Sequence, residues 1–97
     1  MVLVRRAIEI VNEYGLHLRA AERFVRVARQ FQAEIRVHHD DQAVDGKSIL
    51  DLLTLAALPG THLDLEAIGA DAEAAVAALG QLVAGGFAEA GPEHAGP

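Results

Sequence analysis

Val2–Val11 reads as a strand, with Val4, Ile8 and Ile10 on one parity, as in a strand with one dry face. Arg6 shares that parity and breaks the pattern. From Ala20 the period changes. Ala21, Phe24, Ala28 and Phe31 recur at helical spacing, and Arg19, Glu22, Arg23, Arg26, Arg29 and Gln30 cover the other side, predicting an amphipathic surface helix. Ala33, Ile35 and Val37 then alternate with Glu34, Arg36 and His38, a second half-buried strand. Asp40-Asp41-Gln42 reads as a tight turn, residues 43–45 as a short return strand, and Gly46 as the close of the hairpin.

Ser48-Ile49-Leu50-Asp51 has the form of a capping box, serine at the N-cap and an acid at N3, and predicts a helix of two to three turns stopped by Leu58-Pro59-Gly60. Leu63, Leu65 and Ala67 alternate with His62, Asp64 and Glu66 as a fourth strand. Asp71 is placed to cap a last helix whose Ala75, Val76, Leu79, Leu82 and Val83 face inward, with Gly85-Gly86 at its C-terminal end. The order is βαββαβα. Every strand has one dry face, so the economical architecture is α+β: an open-faced β-sandwich, one four-stranded antiparallel sheet with three helices on one face. We expect one domain over residues 1–86 and a frayed tail over 87–97, where Gly and Pro break any pattern.

Composition narrows the function. Of 97 residues 52% are hydrophobic, which argues against disorder, and the absence of Cys removes thiol chemistry and disulfides. Charge arrives early, at Arg5 and Arg6, and no apolar run approaches a membrane span, so the expectation is a cytoplasmic protein with no membrane partner. The net charge of −6 speaks against nucleic acid. It also hides an asymmetry: residues 1–38 hold seven Arg against four acids, and residues 39–97 one Lys against ten. Arg19, Arg23 and Arg26, at i, i+4 and i+7, line one helix face, suited to an acidic protein partner or simply to water.

The candidate chemistry lies at residues 12–21, NEYGLHLRAA. Asn12 and Gly15 are turn residues, so His17 stands where loop becomes helix, at or beside the N-cap. The first helical turn offers backbone N–H groups without internal partners in a positive dipole field, which favours a dianion. Arg19 adds a planar cation about one turn away. With a reference pKa of about 6.5, an imidazole keeps a free ring nitrogen at neutral pH, so a phosphoryl group on it would face those donors. A histidine at a helix start also serves as a plain cap or a solvated polar residue. GKS at 46–48 is not a P-loop, because the required glycine five residues earlier is Asp41. His38 and His39 point to opposite faces, and His38 with His62 would supply only two ligands, so we expect no metal and no cofactor.

NEYGLHLRAA, VDGKSILDLLTLAA and PGTHLDLEAIGAD, at their mutual spacing, resemble the HPr family of histidine-containing phosphocarriers of the bacterial phosphotransferase system. The resemblance implies that His17 is phosphorylated on Nδ1 by enzyme I at the expense of phosphoenolpyruvate. The phosphoryl group is then discharged onto a histidine of an enzyme IIA. It gives Arg19 the role of steadying that group together with the backbone N–H groups at Leu18 and Arg19. Ser48 becomes the residue modified by an HPr kinase/phosphorylase, or remains only a capping serine. The implied partner surface is apolar at Leu18, Ile49, Leu50 and Leu53 and basic at Arg23, Arg26 and Arg29, on a monomer. Two positions depart from the pattern: Ala20 stands where the family usually has Pro, and Leu18 where it has a smaller or polar residue. Rival readings are a regulatory interaction module working through Ser48, and a carrier in a nitrogen-related or dihydroxyacetone-kinase relay.

Overall fold

The computed structural model describes residues 2–88 and has seven elements: β1 (Leu3–Glu9), α1 (Leu18–Ala28), β2 (Glu34–His39), β3 (Gln42–Asp45), α2 (Ile49–Thr54), β4 (His62–Ile68) and α3 (Ala72–Ala84). The strands form one antiparallel sheet in the order β1-β4-β2-β3, with β1 paired to β4 from Leu3↔Ile68 to Glu9↔His62 and β2 to β4 from Glu34↔Ile68 to His38↔Asp64. The expected open-faced α+β sandwich, βαββαβα, is the architecture observed.

The dry parity of each strand faces the helices. Ile8, Ile10, Ile35, Val37, Val44, Leu63, Leu65 and Ala67 are buried against Phe24, Val25, Leu52, Val76, Leu79 and Val83. Alanines line the inner sides of α1 and α3: Ala20, Ala21, Ala28, Ala72 and Ala75 are fully buried. Small side chains there let the helices approach closely while the larger aliphatics fill the gaps.

Several details differ from the pattern. Arg6, the polar residue on the dry parity, stays exposed because its guanidinium reaches over Gly80 of α3, where a Cβ would lie 3.0 Å from its Nη1. The helix after Ser48 is six residues long, shorter than expected. It stops well before Pro59, because Ala56 takes the left-handed region (φ 48°) and Ala57 turns its carbonyl to the N–H of Leu16 at 2.9 Å. Only half of the capping box forms: Ser48 Oγ accepts from the Asp51 N–H at 3.2 Å, and the Asp51 carboxylate accepts from the Asp45 N–H.

Asp71 holds the N-cap position of α3 but makes no capping bond. Its two carboxylate oxygens accept from the N–H groups of Gln32 and Ala33, each at 2.9 Å, so it ties the α1–β2 loop to the start of α3. The Gln32 N–H is the main cause holding this carboxyl below the ordinary aspartate range.

The domain also reaches past Gly86. Gly86 (φ 72°) and Phe87 donate to Val83 and Leu82 at 2.9 and 2.8 Å, the paired bonds of a Schellman ending, which leave Phe87 1% exposed in the core. Phe87, expected to open the tail, is therefore core. Residues 89–97, the rest of that tail, lie outside the described residues.

Candidate functional site

The loop between β1 and α1 is built to hold one ring. Gly15 has φ 70°, and a Cβ there would lie 2.4 Å from the Ala57 carbonyl oxygen, so only glycine lets the loop press against the segment following α2. The Gly15 carbonyl accepts twice, from the Asn12 side-chain amide at 2.7 Å and from the His17 N–H at 2.9 Å. These bonds fix the backbone on which His17 sits. Asn12, read from sequence only as a turn former, is thus the brace of the loop; a polar side chain three residues before a glycine gave no stronger signal.

His17 is the N-cap of α1, in extended conformation (φ −82°, ψ 179°) and solvent-exposed. Its Nδ1 accepts the Arg19 backbone N–H at 3.2 Å. The expectation of wholly unpaired donors is corrected to that extent: one of the first-turn N–H groups is occupied by the ring itself. As the acceptor of this bond, Nδ1 presents a lone pair to the helix N-terminus. The helical bonding begins with the Ala21 N–H to the His17 carbonyl at 2.9 Å, which leaves the N–H groups of Leu18 and Ala20 ahead of the first intrahelical bond. Tyr14 meets the His17 ring edge-on, centroids 6.2 Å apart and planes at 84°.

The other expected residues divide. Arg19, Arg23 and Arg26 line one shallow groove together with Glu22, as the helical spacing required. Arg23 is half-buried and donates to the Phe87 carbonyl at 3.0 Å, and Arg29 donates to the Lys47 carbonyl at 3.3 Å, so both also fasten α1 to neighbouring segments. Leu18 and Leu50 are 55% and 76% exposed, whereas Ile49 and Leu53 are half-buried against the core. Tyr14, against the His17 ring, and Leu58, whose Cα lies beside Gly15, are two further exposed apolar side chains near His17, at 74% and 68% exposed, that escaped the sequence reading. Ser48 is half-buried at the α2 N-cap. His38 and His62 take separate carboxylates, Glu66 at 2.9 Å and Glu9 at 3.7 Å, and among the described residues no group of three or more ligands suits a metal ion. No helix among them is long and apolar enough to cross a membrane.

An exposed imidazole at a helix N-terminus, beside the exposed side chains of Tyr14 and Leu18 and an arginine-lined groove of the same helix, makes an open surface site on a small α+β domain. Comparison with known proteins gives the class its family. The sequence profile described as "PTS HPr component phosphorylation site" matches residues 4–85. The phosphocarrier protein HPr of Neisseria meningitidis serogroup A is 45% identical over 87 residues, 90% of this chain and 98% of that protein. The phosphocarrier protein NPr of Shewanella violacea is 37% identical over 90 residues, 93% of this chain and 99% of its own length. The crystal structure of HPr-C-His from Thermoanaerobacter tengcongensis superposes with a TM-score of 0.85 at 38% identity, covering 89% of this chain and 97% of that one. The chain belongs to the HPr family, the phosphocarriers of the phosphotransferase system.

Proposed function

We propose that His17 is the phosphoryl acceptor, loaded by enzyme I from phosphoenolpyruvate and unloaded onto a histidine of an enzyme IIA. The observation that carries this reading is the Nδ1 lone pair of an exposed ring at the N-terminus of α1. In the loading step Nδ1 attacks phosphorus, the bond from phosphorus to the donor's leaving nitrogen breaks, and the ring keeps its Nε2 proton and becomes cationic. As the Nδ1–P bond forms, the Arg19 N–H loses its acceptor and turns to a phosphoryl oxygen, alongside the N–H groups of Leu18 and Ala20. The Arg19 guanidinium adds a charge-assisted donor. Unloading runs the same steps in reverse, so the covalent intermediate is the cargo.

The exchange of Pro for Ala at position 20 adds a backbone N–H at the third helical position, and phosphoryl binding tolerates it. The apolar surround at Tyr14, Leu18, Leu50 and Leu58 and the arginines of α1 form the surface that docks both partners. Ser48 is a second, regulatory site wherever an HPr kinase/phosphorylase is present: phosphate there adds about −1.5 to −2 charges beside Leu50, altering docking more than the fold. A carrier in a nitrogen-related or dihydroxyacetone-kinase relay shares this chemistry and differs only in acceptor. The match to a phosphocarrier under a second name, NPr, favours keeping it as a second reading.

Incubation with enzyme I and phosphoenolpyruvate, followed by intact mass, tests the proposal. The wild type gains an acid-labile adduct of about 80 Da, one phosphoryl group, and His17→Ala gains none. An adduct retained by His17→Ala assigns the acceptor elsewhere. Transfer from the loaded protein to purified enzyme IIA proteins of the sugar and nitrogen types separates the two readings.

A further inference from the structure

Phe24 and Phe87 are buried and Phe31 is half-buried, whereas Tyr14 points to water, 74% exposed. A side chain so exposed adds little to the core. Its ring contact is with His17, edge-on, centroids 6.2 Å apart and planes at 84°. The two rings also share one support. Tyr14 stands inside the turn closed by the Gly15 N–H on the Asn12 carbonyl at 3.2 Å, and the Gly15 carbonyl in turn accepts from the Asn12 amide and the His17 N–H. One clamp therefore sets where both rings stand.

We infer that Tyr14 is a positioning residue for phosphoryl transfer: it holds the plane of the His17 ring so that Nδ1 stays aimed at the N-terminus of α1. The inference rests on the proposed role of His17 as acceptor. The χ2 torsion of a histidine is broad and roughly two-fold, so an exposed imidazole keeps two freedoms, a half-turn and a rocking of its plane. A half-turn exchanges Nδ1 for Cδ2 and leaves the outline of the ring almost unchanged, so packing does not choose between the two poses. The Arg19 N–H does, because only Nδ1 accepts it. That bond is 3.2 Å long and open to water, at the weak end for an N–H donor, and by itself does little against rocking. Tyr14 supplies the missing restraint. Aromatic rings up to about 7 Å apart favour the edge-to-face arrangement seen here, which fixes the plane of one against the other. The hydrogen bond selects the nitrogen and the tyrosine selects the tilt.

The consequence is kinetic. Attack on phosphorus needs the nucleophile in line and about 3–3.5 Å away, and a ring that rocks spends part of its time out of line. Tyr14 restrains the ring without enclosing it, since His17 itself stays exposed to an incoming donor. A tyrosine that only widened the docking surface would act through partner affinity and leave the isolated ring as it is.

Phosphoramidate separates these two roles, because it phosphorylates histidine with no protein partner: Nδ1 bonds to phosphorus as the phosphorus–nitrogen bond breaks and ammonia leaves. Tyr14→Ala is expected to load about two- to tenfold more slowly than the wild type, the range that an edge-to-face pair is worth. Tyr14→Phe keeps the ring and the wild-type rate. In NMR of the unphosphorylated proteins, the Arg19 amide proton of Tyr14→Ala moves toward its unbonded position, while that of Tyr14→Phe stays. With enzyme I as the loader, Tyr14→Ala loses in kcat. Wild-type phosphoramidate loading by Tyr14→Ala, a change confined to KM with enzyme I, an unmoved Arg19 amide, or a Phe variant as slow as the Ala variant overturns the inference. The amide shift needs no phosphoryl transfer, so its failure is distinct from a failure of His17 to load at all.

Discussion

The proposed role of His17 needs the backbone beneath it fixed, and Gly15 fixes it. A side chain at Gly15 would combine an unfavourable left-handed φ with a contact of 2.4 Å to the Ala57 carbonyl oxygen, backbone that cannot swing aside. Gly15→Ala is expected to cost about 2–5 kcal/mol, strain and overpacking together, and to displace the ring from the Arg19 N–H. Urea denaturation gives the first number, and loss of the wild-type His17 imidazole shifts in NMR reports the second. A variant as stable as the wild type would show that the loop is not clamped. The placement of His17 and Arg19 at the start of α1 was legible from sequence because turn residues meet helical periodicity there. Asn12 and Tyr14 were not: an amide bracing a carbonyl and an edge-on ring contact depend on how a loop closes, which periodicity does not encode.

Among the elements, the strands were the most legible, since alternation on each of them reports the same buried face. Helix ends were less so. Asp71 occupies the cap position that its residue type suggests, yet its carboxylate serves Gln32 and Ala33, about forty residues earlier in the chain and invisible to a local rule. Because those donors hold its folded pKa below the ordinary value, its contribution is complete above the normal aspartate range and is lost as pH falls through the lower, folded pKa. Stability of the wild type should thus drop more steeply below about pH 4 than that of Asp71→Asn; parallel acid limbs in thermal melts would contradict this. Phe87 was misassigned for a related reason. Two glycines announce the end of α3, but the Schellman bonds turn the chain back and drive the next side chain into the core. Phe87→Ala is expected to cost about 3–5 kcal/mol, read from urea denaturation, whereas a residue in a frayed tail would cost almost nothing.

For the molecule as a whole, four of the seven arginines of residues 1–38 fall on α1 and its C-cap, with Arg19, Arg23 and Arg26 lining one groove, while ten of the fourteen acids lie in residues 39–97. Arg26→Glu with Arg29→Glu should weaken docking to enzyme I at low salt and much less at high salt, as expected of charges near a binding surface. Isothermal titration at two ionic strengths checks it, and unchanged affinity at low salt would remove the arginines from the interface. Arg29 also holds the Lys47 carbonyl, so the same titration needs a thermal melt beside it to separate docking from folding.

In the proposed loading step the phosphoryl group goes to Nδ1 of His17 rather than Nε2. Long-range ¹H–¹⁵N NMR of the protein phosphorylated by enzyme I and phosphoenolpyruvate distinguishes the two directly. Phosphorylation at Nδ1, with Nε2 retaining its proton and the Arg19 amide proton shifted by its new acceptor, is the predicted result. A phosphoryl group on Nε2, or an Arg19 amide signal that does not move, would contradict it.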